Sequence, residues 1–103
     1  MAFRPAVKLD ELWEGDMAGV VVDGRKLLLV RLDGAVHAYE NRCAHLGVAL
    51  SEGQLAGATL TCRAHHYQYD ARTGCGINPR SVMLRRYPIE IRDDTVFVDL
   101  EAP

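Results

Sequence analysis

Cysteine and histidine alternate in two short motifs near the middle of the chain. Cys43 and His45 form C-A-H, Cys62 and His65 form C-R-A-H, and sixteen residues separate His45 from Cys62. Thiolates and imidazoles are ligands for zinc and for iron. Zinc fingers usually take two cysteines from one loop and two histidines from another, whereas each motif here supplies one of each. This arrangement suits a [2Fe–2S] cluster with one iron on two cysteines and the other on two histidines.

Short apolar runs with turn sequences between them surround both motifs and predict β-strands. Asp23-Gly24 and Asp33-Gly34 are typical of hairpin turns. A single helical turn is predicted at 10–13, capped by Asp10. The predicted strands are 17–22, 26–32, 36–40, 58–61, 67–70, 85–91 and 95–100. The pattern therefore predicts an all-β, antiparallel sandwich, with metal-binding loops at about 41–51 and 62–80 at one end.

Length and composition predict one domain. A chain of 103 residues, 49% hydrophobic and 25% charged, forms a single globular unit, 1–103. No apolar run approaches the roughly 18 residues of a membrane span, and the first residues lack the apolar stretch of a signal peptide. Three cysteines, two of them assigned as ligands, leave Cys75 without a disulfide partner in the chain. We therefore expect a reducing, cytoplasmic location.

At these residues the chain resembles the Rieske family, whose ligand pattern is C-x-H, a gap of about sixteen residues, then C-x-x-H. Four segments, at 12–17, 50–53, 62–65 and 76–79, resemble the ferredoxin component of toluene-type multicomponent monooxygenases. The resemblance implies a Rieske-type sandwich carrying one [2Fe–2S] cluster. It also implies that Cys43 and Cys62 hold the inner iron, while His45 and His65 hold the outer iron near the surface.

The resemblance further implies an electron carrier rather than an enzyme. Such a soluble, monomeric ferredoxin takes single electrons from an NADH-dependent flavin/iron-sulfur reductase. It delivers them to a diiron hydroxylase that oxidises an aromatic hydrocarbon, docking with both partners near His45 and His65. The sequence does not identify the hydroxylase substrate, because no residue of this chain would touch it.

Several alternatives stay open. A ferredoxin of a ring-hydroxylating dioxygenase would carry the same ligands, as would a small nitrite-reductase subunit, and a structural zinc module is a remote alternative. A catalytic Rieske oxygenase is excluded, because His37 and His66 are the only remaining histidines and 103 residues cannot supply a mononuclear iron domain. A nucleic-acid role is not expected, because no basic stripe or aromatic platform stands out.

Residues around the motifs suggest how the cluster would be tuned. Respiratory Rieske proteins join their loops by a disulfide, but Val48 and Ala64 stand at those positions here. They also place a serine and a tyrosine near the cluster sulfurs, where this chain has Tyr67 and Tyr69. Loss of the serine hydroxyl predicts a low potential, raised in part by Tyr69. The alternative interpretation of Tyr69 is an aromatic side chain on a sheet face.

Charge and the remaining polar or aromatic residues give further expectations. Between residues 41 and 86 six arginines stand against two carboxylates, a balance of +4. These arginines, among them Arg42 and Arg63, either form a docking face for an acidic partner or are scattered solubilising residues. The segment 76–79 is either a third loop over the cluster or a surface turn. We expect His37 to be structural on its strand, Cys75 to be a small packing residue and Trp13 to pack against the sheet. For His66 we expect either a docking role or a solvated loop position.

Overall fold

The computed structural model describes residues 3–44, 47–64 and 66–101. Within these ranges no helix is long and apolar enough to cross a membrane, and the two helical segments are short 3-10 turns at Leu9–Glu11 and Leu50–Glu52. The strands are β1 (Phe3–Lys8), β2 (Met17–Val22), β3 (Arg25–Leu32), β4 (Ala35–Glu40), β5 (Gln54–Ala56), β6 (Thr59–Thr61), β7 (Gln68–Asp70), β8 (Gly76–Asn78), β9 (Arg86–Tyr87), β10 (Ile89–Arg92) and β11 (Thr95–Asp99).

The strands form three antiparallel sheets. The first sheet has the order β1-β11-β10, the middle sheet β2-β3-β4-β9, and the third sheet β5-β6-β7-β8. The prediction of an all-β antiparallel fold is confirmed. The third sheet lies between and after the two cysteine motifs in sequence, because β5 and β6 separate them and β7 and β8 follow.

The middle sheet is covered on both faces. Leu27, Leu28, Leu29 and Val30 of β3 are all fully buried, although successive side chains on a strand point to opposite faces. Leu27 and Leu29 pack in a cluster with residues of the first sheet, while Leu28 and Val30 pack with the third sheet and with both cysteines of the motifs. One strand therefore contributes to two hydrophobic cores, and the second core includes the cysteines of both motifs.

Tight turns fix the register of the hairpins. Asp23 and Gly24 join β2 to β3, and Asp33 and Gly34 join β3 to β4, all with positive φ. Two consecutive residues of positive φ give the type I′ geometry, whose twist matches that of the flanking strands. The Asp-Gly hairpins predicted from the sequence are thus confirmed.

Some predicted boundaries are wrong. The second loop is shorter than 62–80: it ends before β7, and the segment 76–78 is the edge strand β8 rather than a third loop or a surface turn. The strands β1, β5 and β8 were not predicted. The first helical turn begins at Leu9 rather than at Asp10, after an extended Lys8, so Asp10 does not cap it.

Trp13 does not pack against a sheet as expected. Its side chain is 73% exposed, and its indole N–H donates to the carbonyl oxygen of Asp10 at 3.2 Å. This short-range hydrogen bond holds the ring against its own turn, away from the core.

A polar network ties the middle sheet to the third sheet. The Tyr39 hydroxyl of β4 donates to the carbonyl oxygen of Ala71 at 2.8 Å, just beyond β7. The Arg86 guanidinium donates to Nδ1 of His37 at 2.7 Å and to the carbonyl oxygen of Arg72 at 2.8 Å. His37 therefore has the structural role expected for it, as a neutral acceptor for Arg86.

The pH dependence of stability tests this role of His37. Burial, and then the positive charges of Arg86 and Arg72, lower the pKa of His37 below its ordinary value of 6.5. A lowered folded-state pKa means that the unfolded chain binds the proton first, so stability falls as pH drops below 6.5. Asparagine at this position offers an acceptor that does not titrate. As the pH is lowered from about 7.5 to about 5.5, the thermal midpoint of the native protein should therefore decrease more than that of His37→Asn.

Circular dichroism melts of both proteins across this range make the comparison. The other histidines are present in both, so their titration cancels in the difference. Parallel midpoint curves would contradict the assignment.

Candidate metal centre

The first cysteine lies in a tight loop that follows β4. The Cys43 amide donates to the carbonyl oxygen of Val48 at 2.8 Å, and the Gly47 amide donates to the Cys43 carbonyl oxygen at 3.0 Å. Gly47 has φ +70°, which a residue with a side chain rarely adopts. The loop folds back on itself around a Cys43 side chain that is 1% exposed.

A side-chain clasp closes the base of this loop. The Asn41 amide nitrogen donates to Ser51 Oγ at 2.9 Å, and the Ser51 backbone N–H donates to Asn41 Oδ1 at 3.0 Å. Asn41 is one of two buried polar or charged residues in the described part of the chain. The paired hydrogen bonds satisfy this buried amide and fix the distance between the two ends of the loop.

The second cysteine lies in a shorter loop between β6 and β7. The Cys62 amide donates to the Tyr67 carbonyl oxygen at 2.8 Å, and the Cys62 side chain is fully buried. Because Gln54 of β5 pairs with Thr61 of β6, the start of the strand that follows the first loop lies beside the end of the strand that precedes Cys62. The β5–β6 hairpin thus delivers both loops to the same place.

The two thiols meet in the core. Cys43 and Cys62 belong to one hydrophobic cluster, and neither forms a disulfide. Burial raises the pKa of the Cys62 thiol; a hydrogen bond from the Ala64 backbone N–H lowers it, and the neighbouring Cys43 raises it again. Two adjacent buried thiols resist ionisation unless a cation compensates their charge, and a coordinated metal deprotonates such thiols outright. The pair therefore fits a metal centre.

Tyr69 lies directly against this centre. Its hydroxyl oxygen is 3.4 Å from Cys43 Sγ and accepts a hydrogen bond from the Ala44 backbone N–H at 3.1 Å. The side chain is fully buried, and burial, followed by the contact with Cys43, raises its pKa. Tyr69 is therefore a sulfur-contacting residue rather than only a sheet-face aromatic. When Cys43 is a thiolate, the Tyr69 hydroxyl is the donor.

The predicted histidine ligands, His45 and His65, lie outside the described residues. Within the described ranges, no three His, Cys, Asp or Glu side chains come together in a metal-binding group. His66 is described and exposed, with φ +54°. Cys75 is exposed as well, so the packing role expected for it is wrong.

The arginines of segment 41–86 differ in their surroundings. Arg63 pairs with Glu52 at 3.6 Å and Arg72 with Asp33 at 2.6 Å, while Arg86 is engaged with His37. Arg42 is exposed beside the first loop and forms no ion pair with any described residue. These arginines therefore lie in different environments, and Arg42 and Arg85 line the depression beside Cys43.

Sequence reasoning missed the Asn41–Ser51 clasp and Met83. The pairing of Asn41 with Ser51 spans ten positions and has no sequence signature. Met83 is 67% exposed and lines a depression of about 250 Å³ together with Cys43, Ala44 and Arg42. The sequence alone does not indicate a role for Met83, because its position beside Cys43 depends on how the chain folds.

Two relatives and one solved structure are similar to almost the whole chain. The ferredoxin component of an alkene monooxygenase system from Xanthobacter autotrophicus is 37% identical over 94 residues, covering 90% of this chain and 77% of the relative. The ferredoxin component of the naphthalene 1,2-dioxygenase system from Pseudomonas putida is 34% identical over 96 residues, covering 92% of both.

The solved structure is a complex of reduced oxygenase and oxidised ferredoxin in carbazole 1,9a-dioxygenase. One of its chains is 25% identical, with a TM-score of 0.87, and the match covers 98% of this chain and 95% of that one. Residues 3–88 match the family described as the Rieske [2Fe-2S] domain. With two adjacent buried thiols on two loops of an antiparallel fold and a family match over most of its length, this chain belongs to the Rieske [2Fe–2S] domain family.

Proposed function

We propose that this protein carries single electrons from an NADH-dependent flavin/iron-sulfur reductase to the diiron hydroxylase of a monooxygenase acting on aromatic hydrocarbons. The protein is a Rieske ferredoxin of the kind found in oxygenase systems, an electron-transfer component rather than an enzyme. The observation that carries the proposal is the pair of adjacent buried thiols, of which Cys43 borders a surface depression together with Ala44 and Met83. A monomer, 1–103, in the cytoplasm is part of the proposal.

A dioxygenase partner is the second candidate. The relative named for an alkene monooxygenase is 37% identical, and the one named for naphthalene 1,2-dioxygenase is 34% identical but is covered over 92% of its length. These values do not favour one class of oxygenase over the other. Both candidates use the same ligands and differ only in the protein that receives the electron.

In either system Cys43, His45, Cys62 and His65 are the proposed ligands, with the cysteines on the inner iron and the histidines on the outer iron. When bound, the cluster supplies reversible one-electron exchange. The chain's own contribution is to hold the sulfur ligands still. The Asn41–Ser51 clasp and the loop hydrogen bonds at Cys43 and Cys62 resist movement of the loops when the charge changes.

Iron analysis and EPR spectroscopy test the ligand set. The native protein should hold two irons per chain and, after reduction with dithionite, give a rhombic signal with an average g value below that of the free electron. Cys43→Ser and Cys62→Ser should lose the cluster, and His45→Ala and His65→Ala should lose it or change the signal. The matched controls Cys75→Ser and His66→Ala should keep both iron and signal. One zinc and no iron in the native protein would contradict the proposal.

Tyr69→Phe tests the contact with sulfur. A hydrogen bond to a thiolate strengthens when reduction adds negative charge, so its removal should lower the reduction potential. A difference of about 1 kcal/mol between the two redox states corresponds to about 40 mV for one electron. Voltammetry should therefore show a drop of this order, while Tyr87→Phe, which alters a buried tyrosine of the other core, should leave the potential unchanged. Equal potentials for Tyr69→Phe and the native protein would contradict the assignment.

Reconstitution distinguishes the two classes of partner. The reduced protein is mixed with the oxygenase component of the Xanthobacter alkene monooxygenase system or with that of the Pseudomonas putida naphthalene 1,2-dioxygenase system. Oxidation of the ferredoxin is followed by its absorbance. The proposal expects faster transfer to the monooxygenase component. Faster transfer to the dioxygenase component would favour the second candidate, and transfer to neither would contradict both.

A further inference from the structure

A positively charged cleft runs alongside the first ligand-bearing loop. It has a volume of about 540 Å³, and among the described residues its charged lining consists of Arg25, Lys26, Arg42 and Arg85 against the single carboxylate of Glu40. Arg25 and Lys26 come from the start of β3, far in sequence from the other two arginines. The fold, rather than a local basic stretch, brings these charges together.

Backbone hydrogen bonds hold the walls of this cleft. The Asn41 backbone N–H donates to the Lys26 carbonyl oxygen at 3.0 Å. The Glu40 backbone N–H donates to the Arg85 carbonyl oxygen at 2.9 Å, and the Arg42 backbone N–H donates to the Glu40 carbonyl oxygen at 2.8 Å. The Arg25 guanidinium donates to the Leu100 carbonyl oxygen at 2.7 Å. The backbone positions that carry these cations are therefore fixed before a partner binds, which reduces the entropy lost on binding.

The cleft continues to the metal centre. The depression beside Met83 shares Glu40, Arg42 and Arg85 with the cleft and is also lined by Cys43 and Ala44. We call the two together the basic groove. At its far end Met83 exposes an apolar, flexible side chain, a residue type enriched at the centres of protein interfaces.

Other surface cations differ from those of the basic groove. Arg4, Arg63, Arg72 and Arg92 each lie within ion-pair distance of a carboxylate, which reduces the positive potential that they present to a partner. Lys26 and Arg42 form no such pair with any residue in the described ranges. Their charge is directed at solvent, next to the loop that carries Cys43.

We propose that the basic groove is the docking surface for the oxygenase component, which presents carboxylates to Arg42 and Lys26 and an apolar recess to Met83. This inference rests on the proposed function and adds the side from which the partner approaches and the chemistry of its contact face. Opposite charges would speed the encounter. Burial of Met83 would then place the partner directly over Ala44, the residue between Cys43 and the proposed ligand His45.

Zero-length cross-linking tests the geometry. The chain has two lysines, Lys8 and Lys26, both exposed and only the second in the groove. A carbodiimide joins a partner carboxylate to a lysine amine as an amide only where the two touch. With whichever of the two oxygenase components above accepts electrons, mass spectrometry should find the amide at Lys26 and not at Lys8. Cross-links at Lys8 alone would contradict the basic groove as the docking surface.

Charge-reversal variants test the energetics. Arg42→Glu combined with Lys26→Glu should lower the second-order rate of electron transfer to that oxygenase by about tenfold at low ionic strength. The deficit should shrink as salt is added, because screening removes the steering. Arg92→Glu combined with Lys8→Glu, an equal charge change outside the groove, is the matched control and should retain the native rate.

Met83→Ala tests the apolar end. This change should weaken binding to the oxygenase component with little change in the salt dependence. Ile91→Ala, at another exposed apolar residue, should leave binding unchanged. Native rates of electron transfer for both the double variant and Met83→Ala would contradict the basic groove as the docking surface. Equal losses of rate in the groove variants and in the control variants would contradict it as well. If the native protein delivers electrons, such a result removes the groove and leaves the proposed function intact. If the native protein delivers none, the proposed function fails first.

Discussion

The placement of two cysteine side chains next to each other inside an apolar core is the constraint on which the rest of the structure depends. Burial favours the neutral thiol, and two adjacent thiolates would repel each other, so the arrangement is stable as a charged site only with a metal. The surrounding polar groups serve the same purpose. The Ala64 amide at Cys62 and the Tyr69 hydroxyl at Cys43 favour negative charge on sulfur.

The doubly covered middle sheet is what makes this placement possible in a small protein. A two-layer sandwich of about 100 residues has one core, but here β3 divides its side chains between two clusters. The cluster with the first sheet gives the domain a base that does not include the loops. The cluster with the third sheet includes Cys43 and Cys62, so the anchoring of these two side chains is coupled to packing against a rigid strand.

The elements that could be predicted from the sequence are those set by local chemistry. Asp-Gly pairs correctly predicted two hairpins, and the alternating cysteine and histidine motifs predict a ligand set of which the structure describes the two cysteines. β1 was missed because Pro5 interrupts its pattern, and its pairing with β11 joins the two ends of the chain. β5 and β8 have three residues each, too few to show a period. The Asn41–Ser51 clasp and the Tyr69–Cys43 contact depend on loop conformation, which residue types alone do not determine.

Charge shows the same limit at the surface. The balance of +4 over residues 41–86 is a sum along the chain, and such a sum does not distinguish a cation beside a carboxylate from one directed at solvent. Arg72 lies against Asp33, thirty-nine positions away, and Arg63 against Glu52. Arg25 and Lys26, outside the counted segment, face the same groove as Arg42. Because a partner responds to the potential at a surface, the relevant group of charges is the one assembled by strand pairing, at the point where β3 and the loop after β4 meet.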